Sequence, residues 1–345
     1  MVSNRKRAKA NRPHEAVRST ATRGDRRVFE HYSRAQQRDL LAVSALLSEG
    51  KSQVEIARVL GKAPATINRR KQDAVACGVL RLAFHPPRIV ALEFELTRLL
   101  APFGVRSVLV FADHVAAGAA RFFEEAIRDR KLSTVVLDGG RTISCFVDFL
   151  ADALLTPLRV LPLCADPPSY LASAYESMTR LKTMFPHLVE CEKLPHLVTP
   201  VLRQEHRRIQ QVAARADIVL LGCGPWEADF TASEFVRNLG MVPSRIRNKF
   251  KNVSSVCGYC ALTDCGVHVP LAEVDVLMPR SLSFTAIRAL ARQRDKHVVL
   301  LAGTATKTHA VMDAVRGRMP NTLILDENLA GSLCNHAKNV RAGSP

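Results

Sequence analysis

The sequence predicts an α/β protein in two parts, with a small helical domain followed by a larger domain built on a mainly parallel sheet. Three observations lead to this prediction. Residues 51–71 have the pattern of two short helices around a glycine turn, and basic charge is concentrated near the amino terminus. From residue 105 onward, short apolar runs alternate with amphipathic stretches. Buried runs separated by helices are typical of a parallel sheet covered on both faces.

The stretch 51–71 predicts a helix-turn-helix. Ser52 and Glu55 have capping-box spacing, Gly61 permits a tight turn, and a second helix begins near Pro64. In a helix-turn-helix the second helix enters the major groove of DNA. The alternative is an αα-hairpin with a basic surface. The residues expected to contact DNA are Thr66, Asn68, Arg69, Arg70 and Lys71. Of these, Asn68 and Arg69 are expected to read bases, and Thr66 and Arg70 to contact phosphates.

The distribution of charge along the chain supports a polyanion-binding domain near the amino terminus. Residues 1–90 contain 19 Lys and Arg against 7 Asp and Glu, a net +12 of the +17 carried by the whole chain. Such a basic block beside a nearly neutral body indicates nucleic acid as the partner. Residues 1–34 are basic and poor in apolar groups, which predicts a disordered arm. This arm either contacts phosphates or is a plain solvated tail.

Composition narrows the class of protein. A hydrophobic fraction of 47% over 345 residues is ample for a buried core, and no apolar run approaches the roughly 18 residues of a membrane span. The basic amino terminus lacks the apolar segment of a signal peptide. Nine scattered cysteines fit reduced thiols better than a disulfide framework. We therefore expect a cytoplasmic protein without a membrane partner.

The domain boundary is expected at residues 85–87, His-Pro-Pro, because prolines interrupt regular structure. A helix over Leu40–Leu47 completes a three-helix core, and residues 80–84 predict a short strand or wing. Leu92, Leu96 and Leu99 have helical spacing and predict a connecting or dimer-forming helix, with packing onto its own effector domain as the alternative. The predicted segments are an arm at 1–34, a helix-turn-helix domain at 35–84, a linker at 85–104, an effector domain at 105–337 and a tail at 338–345.

Strands and helices of the larger domain follow from its apolar runs. The predicted strands are Ser107–Phe111, Thr134–Leu137, Val160–Leu163, Ile218–Leu221, Val298–Ala302 and Thr322–Leu325. Helices are expected near 116–130, 143–155, 168–183, 203–214, 281–292 and 307–316. Ligands of such domains bind beyond the carboxyl ends of the strands.

Three predicted strand ends carry residues suited to binding an anion or a polar ligand. Glycines let backbone amides approach a ligand closely, a helix N-terminus favours negative charge, and a lysine supplies a point charge. Tight βα turns without a ligand and an ordinary solvated lysine are the alternatives. The residues expected to line one cleft are Gly139, Gly140, Arg141, Thr142, Gly222, Gly224 and Lys307.

The stretch Cys257–His268 has metal-ligand spacing, C-x₂-C-x₄-C-x₂-H, with four possible zinc ligands. The flanking sequence is apolar and strand-like, and strand alternation would place Cys257 and Cys260 on opposite faces. Buried free thiols are therefore the favoured interpretation, and no metal or cofactor is predicted.

Asp326 and Glu327 follow a predicted strand and are candidates for an acid and a base. Adjacent carboxylates that open a helix more commonly complement its dipole. The sequence contains no nucleophile elbow, Walker motif or HExxH pattern. No catalytic residue is assigned.

The order of these motifs resembles the SorC family of bacterial transcriptional regulators over roughly residues 36–336. The matching stretches are SQVEIARVLGKAPATINRRKQDAVACGVLRL, LDGGRTI, LPHLVTPVL, ADIVLLGCG, VCGYCA and AGTATKTHAVMDAVRGRMPNTLILDENLA. The resemblance implies an effector domain similar in fold to glucosamine-6-phosphate deaminase and ribose-5-phosphate isomerase. It also implies a sensor of sugars, polyols or sugar phosphates that assembles as a tetramer.

Four positions depart from the family pattern. The N-cap of the second helix is Ala63 in place of Ser, which weakens the cap by about 1 kcal/mol. Tyr259 stands where the family has an arginine for effector phosphate, residues 164–165 are Cys-Ala in place of a glycine pair, and Ser255 replaces an acidic residue. Gly140, Thr142 and Lys307 match the pattern. These departures make an unphosphorylated sugar or polyol an alternative effector to a sugar phosphate.

The leading hypothesis is a regulator that binds a double-stranded DNA operator under the control of a small sugar, polyol or sugar phosphate. The alternative is an enzyme of the phosphosugar isomerase or deaminase class with an added nucleic-acid-binding domain. A single three-helix module buries little surface on DNA, so we expect a homo-oligomer, a dimer or tetramer, on a two-fold symmetric operator.

Overall fold

A computed structural model describes residues 16–18, 32–48, 51–76, 81–83, 87–112, 114–130, 132–150, 156–165, 173–195, 199, 201–226, 251–270 and 279–342. The chain divides into two compact units, Met1–His85 and Pro86–Pro345. Within the described ranges, no helix has the length and apolarity needed to cross a membrane.

The first unit is a helical core with a short β-ribbon. Its elements are β1 (Ala16–Arg18), α1 (Arg34–Ser48), α2 (Gln53–Leu60), α3 (Pro64–Ala76) and β2 (Arg81–Ala83). Val43, Ile56 and Ile67, one from each helix, are fully buried against one another.

The β-ribbon pairs β1 antiparallel with β2, so the strand predicted near residues 80–84 is present. The prediction of a disordered arm over 1–34 is corrected at β1, because ladder pairing gives its backbone groups partners that the sequence did not reveal.

The second unit is an α/β domain. Its elements are α4 (Val90–Leu100), β3 (Ser107–Phe111), α5 (Val115–Arg130), β4 (Thr134–Leu137), α6 (Arg141–Asp148), β5 (Leu158–Pro162), α7 (Ala174–Met184), β6 (Val189–Cys191), α8 (Arg203–Ala213), β7 (Ile218–Leu221), β8 (Cys223–Pro225), β9 (Ser255–Cys257), β10 (Cys260–Leu262), β11 (His268–Val269), α9 (Phe284–Arg292), β12 (His297–Ala302), α10 (Thr308–Arg316), β13 (Thr322–Asp326) and α11 (Glu327–Ala342). Short 3₁₀ turns lie at Ala101–Phe103 and Ala305–Lys307.

Seven strands form one parallel sheet in the order β3-β13-β12-β7-β4-β5-β6, as the sequence predicted. Alternate residues of each central strand enter opposite cores. Ile218 and Leu220 pack with α5, α6 and α7, whereas Val219 and Leu221 pack with α4, α8, α9, α10 and α11. The period of two residues in a strand explains this division.

A second, antiparallel sheet in the order β11-β10-β9-β8 was not predicted from the sequence. Its strands are two or three residues long, so their apolar pattern is too short to be distinguished from a loop. Strand β8 begins at Cys223, two residues after β7 ends at Leu221. The second sheet therefore starts at the carboxyl edge of the first.

Two of the predicted segment boundaries are corrected. Helix α4 was assigned to a linker, but Leu96, Leu99 and Leu100 are buried in the core of the second unit. Burial of these leucines makes α4 part of that domain. Helix α11 continues to Ala342, beyond the predicted domain end at residue 337.

The proposed dimer contact of α4 is also affected by this packing. Because Leu96 and Leu99 face their own core, they are not exposed for contact with a second chain. The exposed apolar residues of this helix are Val90, at 65%, and Phe94, at 75%.

Candidate functional site

The helix-turn-helix is formed as its capping residues predict. Ser52 Oγ accepts a hydrogen bond from the Glu55 amide at 3.3 Å, and the Glu55 carboxylate accepts one from the Ser52 amide at 2.7 Å. The hydrogen bonds from Ser52 lower the pKa of the Glu55 carboxyl. Gly61 ends the helix in the left-handed conformation, with φ 61°.

The predicted DNA-contact residues occupy different environments on α3. Asn68 and Arg69 are exposed, whereas Thr66 and Lys71 are half-buried. Exposed side chains on the second helix are placed as base-reading residues require. Asn68 and Arg69 are therefore the better placed of the five for contact with bases.

Arg70 takes part in an ion-pair cluster between α1 and α3. Its guanidinium lies 3.2 Å from Asp73 and 3.6 Å from Asp39, and Lys62 Nζ lies 2.8 Å from the same Asp39 carboxylate. Pairing with two carboxylates offsets the charge of Arg70. This environment favours a role in holding the helices together over the phosphate contact expected from the sequence.

In the larger unit, the direction of strand addition reverses between β4 and β7. From β4 the chain adds β5 and β6 on one side, and from β7 it adds β12 and β13 on the other. Such a reversal opens a crevice at the carboxyl ends of the two central strands. The loops 138–140 and 222–224 lie at this crevice.

Asp138 joins these two loops. Its buried carboxylate accepts hydrogen bonds from the amides of Gly139 and Gly222, each at 2.8 Å. A Cβ on Gly222 would lie 3.4 Å from the Gly139 carbonyl oxygen, so the two backbones approach closely. Asp138 was not predicted from the sequence, although a carboxylate between an apolar strand and a glycine pair is a readable signal.

The loop after β4 leads into α6 through Gly140. This residue has φ 114°, which favours glycine, and as the N-cap it offers no side chain to the first amides of the helix. Thr142 is half-buried in the first turn, and Arg141 is exposed. These amides and the Thr142 hydroxyl are suited to an anionic or hydroxyl-bearing ligand.

The third loop follows β12 and carries Lys307. Asp326 Oδ2 accepts a hydrogen bond from the Thr304 amide at 2.6 Å, and a Cβ on Gly303 would lie 2.9 Å from the same oxygen. Thr304 has φ 71°, a left-handed value that is strained for a β-branched residue. Strained backbone held by a carboxylate is common at ligand sites.

The short 3₁₀ turn that ends at Lys307 lies beside strand β8, which begins with Cys223. Burial raises the pKa of the Cys223 thiol to about 11, and the positive charge of Lys307 acts in the opposite direction. Asp138 also raises the pKa of this thiol. Lys307 and Asp138 are therefore both within electrostatic range of Cys223.

The predicted cleft residues are thus brought together to different degrees. The amides of Gly139 and Gly222 share the Asp138 carboxylate, and the turn that ends at Lys307 lies beside β8. Gly224 is buried in β8, opposite Val256 of β9, which indicates a structural role. The exposure of Arg141 places its side chain toward solvent.

The β9–β10 hairpin covers the carboxyl ends of β5 and β7. Its turn residues Gly258 and Tyr259 have φ of 54° and 56°, as a type I′ turn requires. A Cβ on Gly258 would lie 2.9 Å from Leu221 and 3.2 Å from Leu163. Tyr259, at the position where the family pattern has an arginine, is partly buried against the core.

The orientation predicted for Cys257 and Cys260 is wrong. They are cross-strand partners on either side of the two-residue turn, and Cys223 is the partner of Cys257 on the next strand. Directly paired residues of antiparallel strands point to the same face. Single-strand alternation did not apply, because the turn lies between the two cysteines.

The stretch Cys257–His268 does not assemble as the zinc spacing would require. His268 stacks on Phe284 at 4.8 Å, and Cys260 Sγ accepts a hydrogen bond from Arg280 at 3.0 Å. In the described ranges, no three His, Cys, Asp or Glu side chains are grouped for a metal ion.

Asp326 is placed as a structural residue, in line with the second interpretation of the Asp326–Glu327 pair. Besides Thr304, its carboxylate accepts a hydrogen bond from the Leu329 amide at 2.7 Å, in the first turn of α11. Glu327 is exposed. Asp326 therefore caps α11 and fixes the Lys307 loop at the same time.

A second buried carboxylate, Asp313 of α10, was not predicted from the sequence. It accepts hydrogen bonds from the hydroxyls of Ser254 at 2.6 Å and Ser255 at 2.8 Å. Burial raises the pKa of the Asp313 carboxyl above its ordinary value. Ser255, which replaces the acidic residue of the family pattern, thus packs against a carboxylate supplied by another element.

Comparisons with known proteins bear on the fold. Neither a protein-family model nor a curated protein sequence matches the chain. The full-length sorbitol operon regulator SorC from Klebsiella pneumoniae is similar in structure, with a TM-score of 0.62 at 18% identity over 88% of this chain and 100% of that chain. A DeoR family transcriptional regulator from Listeria monocytogenes has a TM-score of 0.53 at 18% identity, over 71% of this chain and 98% of that chain.

The candidate sugar-binding domain of a transcriptional repressor from Vibrio fischeri gives a TM-score of 0.56 at 18% identity, over 72% of this chain and 100% of that chain. The chain therefore has the same fold as these proteins. The resemblance drawn from the sequence motifs is confirmed for the fold.

Proposed function

We propose that this protein is a transcriptional regulator whose binding to a DNA operator is controlled by a small sugar, polyol or sugar phosphate. The observation that carries the proposal is the placement of Asp138 and Gly222 at the reversal point of the sheet, with the Lys307 turn beside β8, in a chain that also contains a helix-turn-helix. A polar crevice supplies the effector site, and the basic helix pair supplies the DNA site.

The chemistry of the crevice suits a ligand with hydroxyl groups and at most a modest negative charge. Lys307 and the uncapped amides of α6 favour an anion, and the buried Asp138 carboxylate opposes a high negative charge nearby. The loops 138–142 and 303–307 therefore provide hydrogen bonds for a polyol, and Lys307 supplies a cation for an acidic group.

The DNA-binding part of the proposal assigns base contacts to Asn68 and Arg69, and phosphate contacts to Thr66 and Lys71. An arginine contacts guanine through two hydrogen bonds, which gives about 1–3 kcal/mol of discrimination. We propose that the chain acts as a homo-oligomer in the cytoplasm, because paired half-sites raise both affinity and specificity.

The experiment begins with selection of duplexes from a random-sequence DNA library by the full-length protein, followed by gel-shift titration of the selected duplex. Arg69→Ala should lose about tenfold or more in affinity for that duplex and little for unrelated DNA. Arg215→Ala, an exposed arginine of the larger unit, is the matched control and should bind as wild type does.

An assay of the same preparation for sugar-phosphate turnover tests the enzyme alternative. Robust isomerase or deaminase activity together with no selected duplex would contradict the proposed function.

A further inference from the structure

Glu93 is a buried carboxylate near the start of α4. Its Oε1 accepts hydrogen bonds from Arg88 Nε at 2.8 Å and from the Val110 amide at 3.0 Å, and its Oε2 accepts one from Arg88 Nη2 at 2.6 Å. This hydrogen bonding raises the pKa of the Arg88 guanidinium. Removal of Arg88 would leave the buried Glu93 carboxylate without its ion-pair partner, so the pair is expected to move as one body.

This pair lies where the chain enters the larger unit. Arg88 forms an antiparallel bridge with Phe111, the Ile89 amide donates to the Val110 carbonyl at 2.8 Å, and the Ala112 amide donates to the Pro87 carbonyl at 3.0 Å. Residues 87–89 therefore extend along the outer edge of β3 at its carboxyl end. They follow directly from the unit Met1–His85.

The carboxyl end of β3 is also connected to the Lys307 loop. Phe111 is the register partner of Asp326 on the neighbouring strand β13. The Asp326 carboxylate accepts the Thr304 amide at 2.6 Å, and Thr304 is held in its left-handed conformation three residues before Lys307. The Asp326 carboxylate and strand β3 therefore lie between the Lys307 loop and residues 87–89, the segment that joins the two units.

Helix α11 provides a second connection from this loop to α4. Thr308 Oγ1 donates to Ser332 Oγ at 2.9 Å, and Lys338 Nζ lies 2.6 Å from a carboxylate oxygen of Glu95. Leu333 and Leu96 belong to the same buried core. Both connections begin at the Lys307 loop and end on α4.

We propose that Asp326 and the Glu93–Arg88 pair are positioning residues that couple the effector loop to residues 87–89, and thereby to the DNA-binding unit. This inference rests on the proposed function for its biological meaning. Ligand contact at Lys307 relaxes the strained Thr304 backbone and shifts Asp326. Phe111, its register partner, and the Glu93–Arg88 pair then move together. Residues 87–89 move with them because two backbone hydrogen bonds join them to Val110 and Ala112, and the Glu93–Arg88 pair is itself hydrogen-bonded to the Val110 amide.

The first test needs neither ligand nor DNA. Hydrogen exchange followed by mass spectrometry is measured on wild type and Asp326→Asn, at the amides of Ile89 and Ala112. The variant should exchange about tenfold or more faster at these amides, although they donate to the Val110 and Pro87 carbonyls and not to Asp326. Gly303→Ala, whose Cβ would crowd Asp326 Oδ2 at 2.9 Å, should act in the same direction and serves if Asp326→Asn folds poorly.

The matched control is Asp217→Asn, at the amino end of the central strand β7. Asp217 also accepts two backbone amides, from Ser133 at 2.8 Å and Thr134 at 3.0 Å. Its loss should leave exchange at Ile89 and Ala112 unchanged. Equal exchange at these two amides in wild type, Asp326→Asn and Gly303→Ala would overturn the proposal, as would an equal rise in Asp217→Asn.

The second test is a double-mutant cycle on DNA, with a duplex selected by the wild-type protein as the probe. Asp326→Asn should change the Kd for this duplex by about threefold or more. When Asp326→Asn is added to a protein that already carries Glu93→Gln, the Kd should change little further. Fully additive effects would contradict the link. If wild type selects no duplex, the proposed function fails, while the exchange result still decides whether the link exists.

Discussion

The Asp138 carboxylate accepts the Gly222 amide at 2.8 Å and thereby joins two loops that are 84 residues apart in the chain. Its second oxygen accepts the Gly139 amide at the same distance, so the carboxylate is shared between the two loops at the reversal point of the sheet. The Asp326 carboxylate likewise joins the loop after β12 to the start of α11, by accepting the amides of Thr304 and Leu329. Paired strand-end carboxylates thus shape the proposed effector crevice.

Asp138→Asn should destabilise the protein. An asparagine keeps one acceptor oxygen but turns an NH₂ group toward the other backbone amide, which leaves a buried donor without its acceptor. Such a loss costs about 1–3 kcal/mol. Chemical denaturation measures it, with Asp264→Asn, at an exposed turn, as the control. Equal unfolding midpoints for the two variants would show that Asp138 has no structural role.

The stability of the folded state should depend on Asp313 and Asp217 in opposite ways as pH changes. Burial raises the pKa of Asp313 above its ordinary value of 3.8, so the folded state holds this proton more tightly than the unfolded state. The stability contributed by that proton is present at low pH and is lost as pH rises through the raised pKa.

For Asp217, burial opposes ionisation, but hydrogen bonds from Lys296 and from the amides of Ser133 and Thr134 lower the pKa below 3.8 overall. Its contribution is present above 3.8 and is lost as pH falls through the lowered pKa. Urea midpoints should therefore be measured across the acid range for wild type and both variants. The part of the wild-type stability that falls with rising pH because of Asp313 should be absent in Asp313→Asn. The part that rises with rising pH because of Asp217 should be absent in Asp217→Asn. Changes of the same sign would contradict the assignment.

The capping box of the helix-turn-helix should contribute measurably to its stability. Ser52→Ala removes the acceptor of the Glu55 amide and should cost about 0.5–2 kcal/mol. Thermal unfolding of the full chain measures this effect. Ser52→Thr, which keeps the hydroxyl, is the control and should remain close to wild type. A Tm for Ser52→Ala equal to that of Ser52→Thr would show that the cap adds nothing.

Arg69 and Arg70 should differ in what they lose on substitution. Arg69 is exposed, and Arg70 lies 3.2 Å from Asp73 and 3.6 Å from Asp39. Arg70→Ala should lower the stability of the unit Met1–His85 and leave the salt dependence of the proposed DNA binding nearly unchanged. The expectation drawn from the sequence was a phosphate contact, which predicts a salt slope smaller by about one. Kd measured at several salt concentrations separates the two roles.

Much of the fold was predictable because its signals are local. The apolar runs at β3, β4 and β7 were assigned with their observed bounds, since each is a short buried run between turn residues. The second sheet was missed because β8, β9, β10 and β11 are too short to show periodicity. Cys257 and Cys260 were assigned to opposite faces because the turn between them was not recognised.

The site was predictable in its glycines and lysine but not in its carboxylates. Gly139, Gly222 and Lys307 stand in loops with recognisable patterns, so their placement at one sheet edge followed from the predicted topology. The roles of Asp138, Asp313 and Glu93 depend on partners that are distant in the chain. Val110 is 17 residues from Glu93, and Gly222 is 84 residues from Asp138. Such pairings exist only after the strands assemble.

Control of DNA binding by an effector is tested most directly by the Kd of a selected duplex, measured with and without sorbitol, sorbitol 6-phosphate and fructose 6-phosphate. At least one of these should change the Kd of wild type by about tenfold. An anionic effector should act more strongly at low salt and lose most of its effect in Lys307→Ala, whereas a neutral polyol should depend on Thr142. Lys251→Ala, at an exposed lysine, is the control and should respond as wild type does. No response to any of the three compounds, or the wild-type response in both Lys307→Ala and Thr142→Ala, would contradict the proposed site.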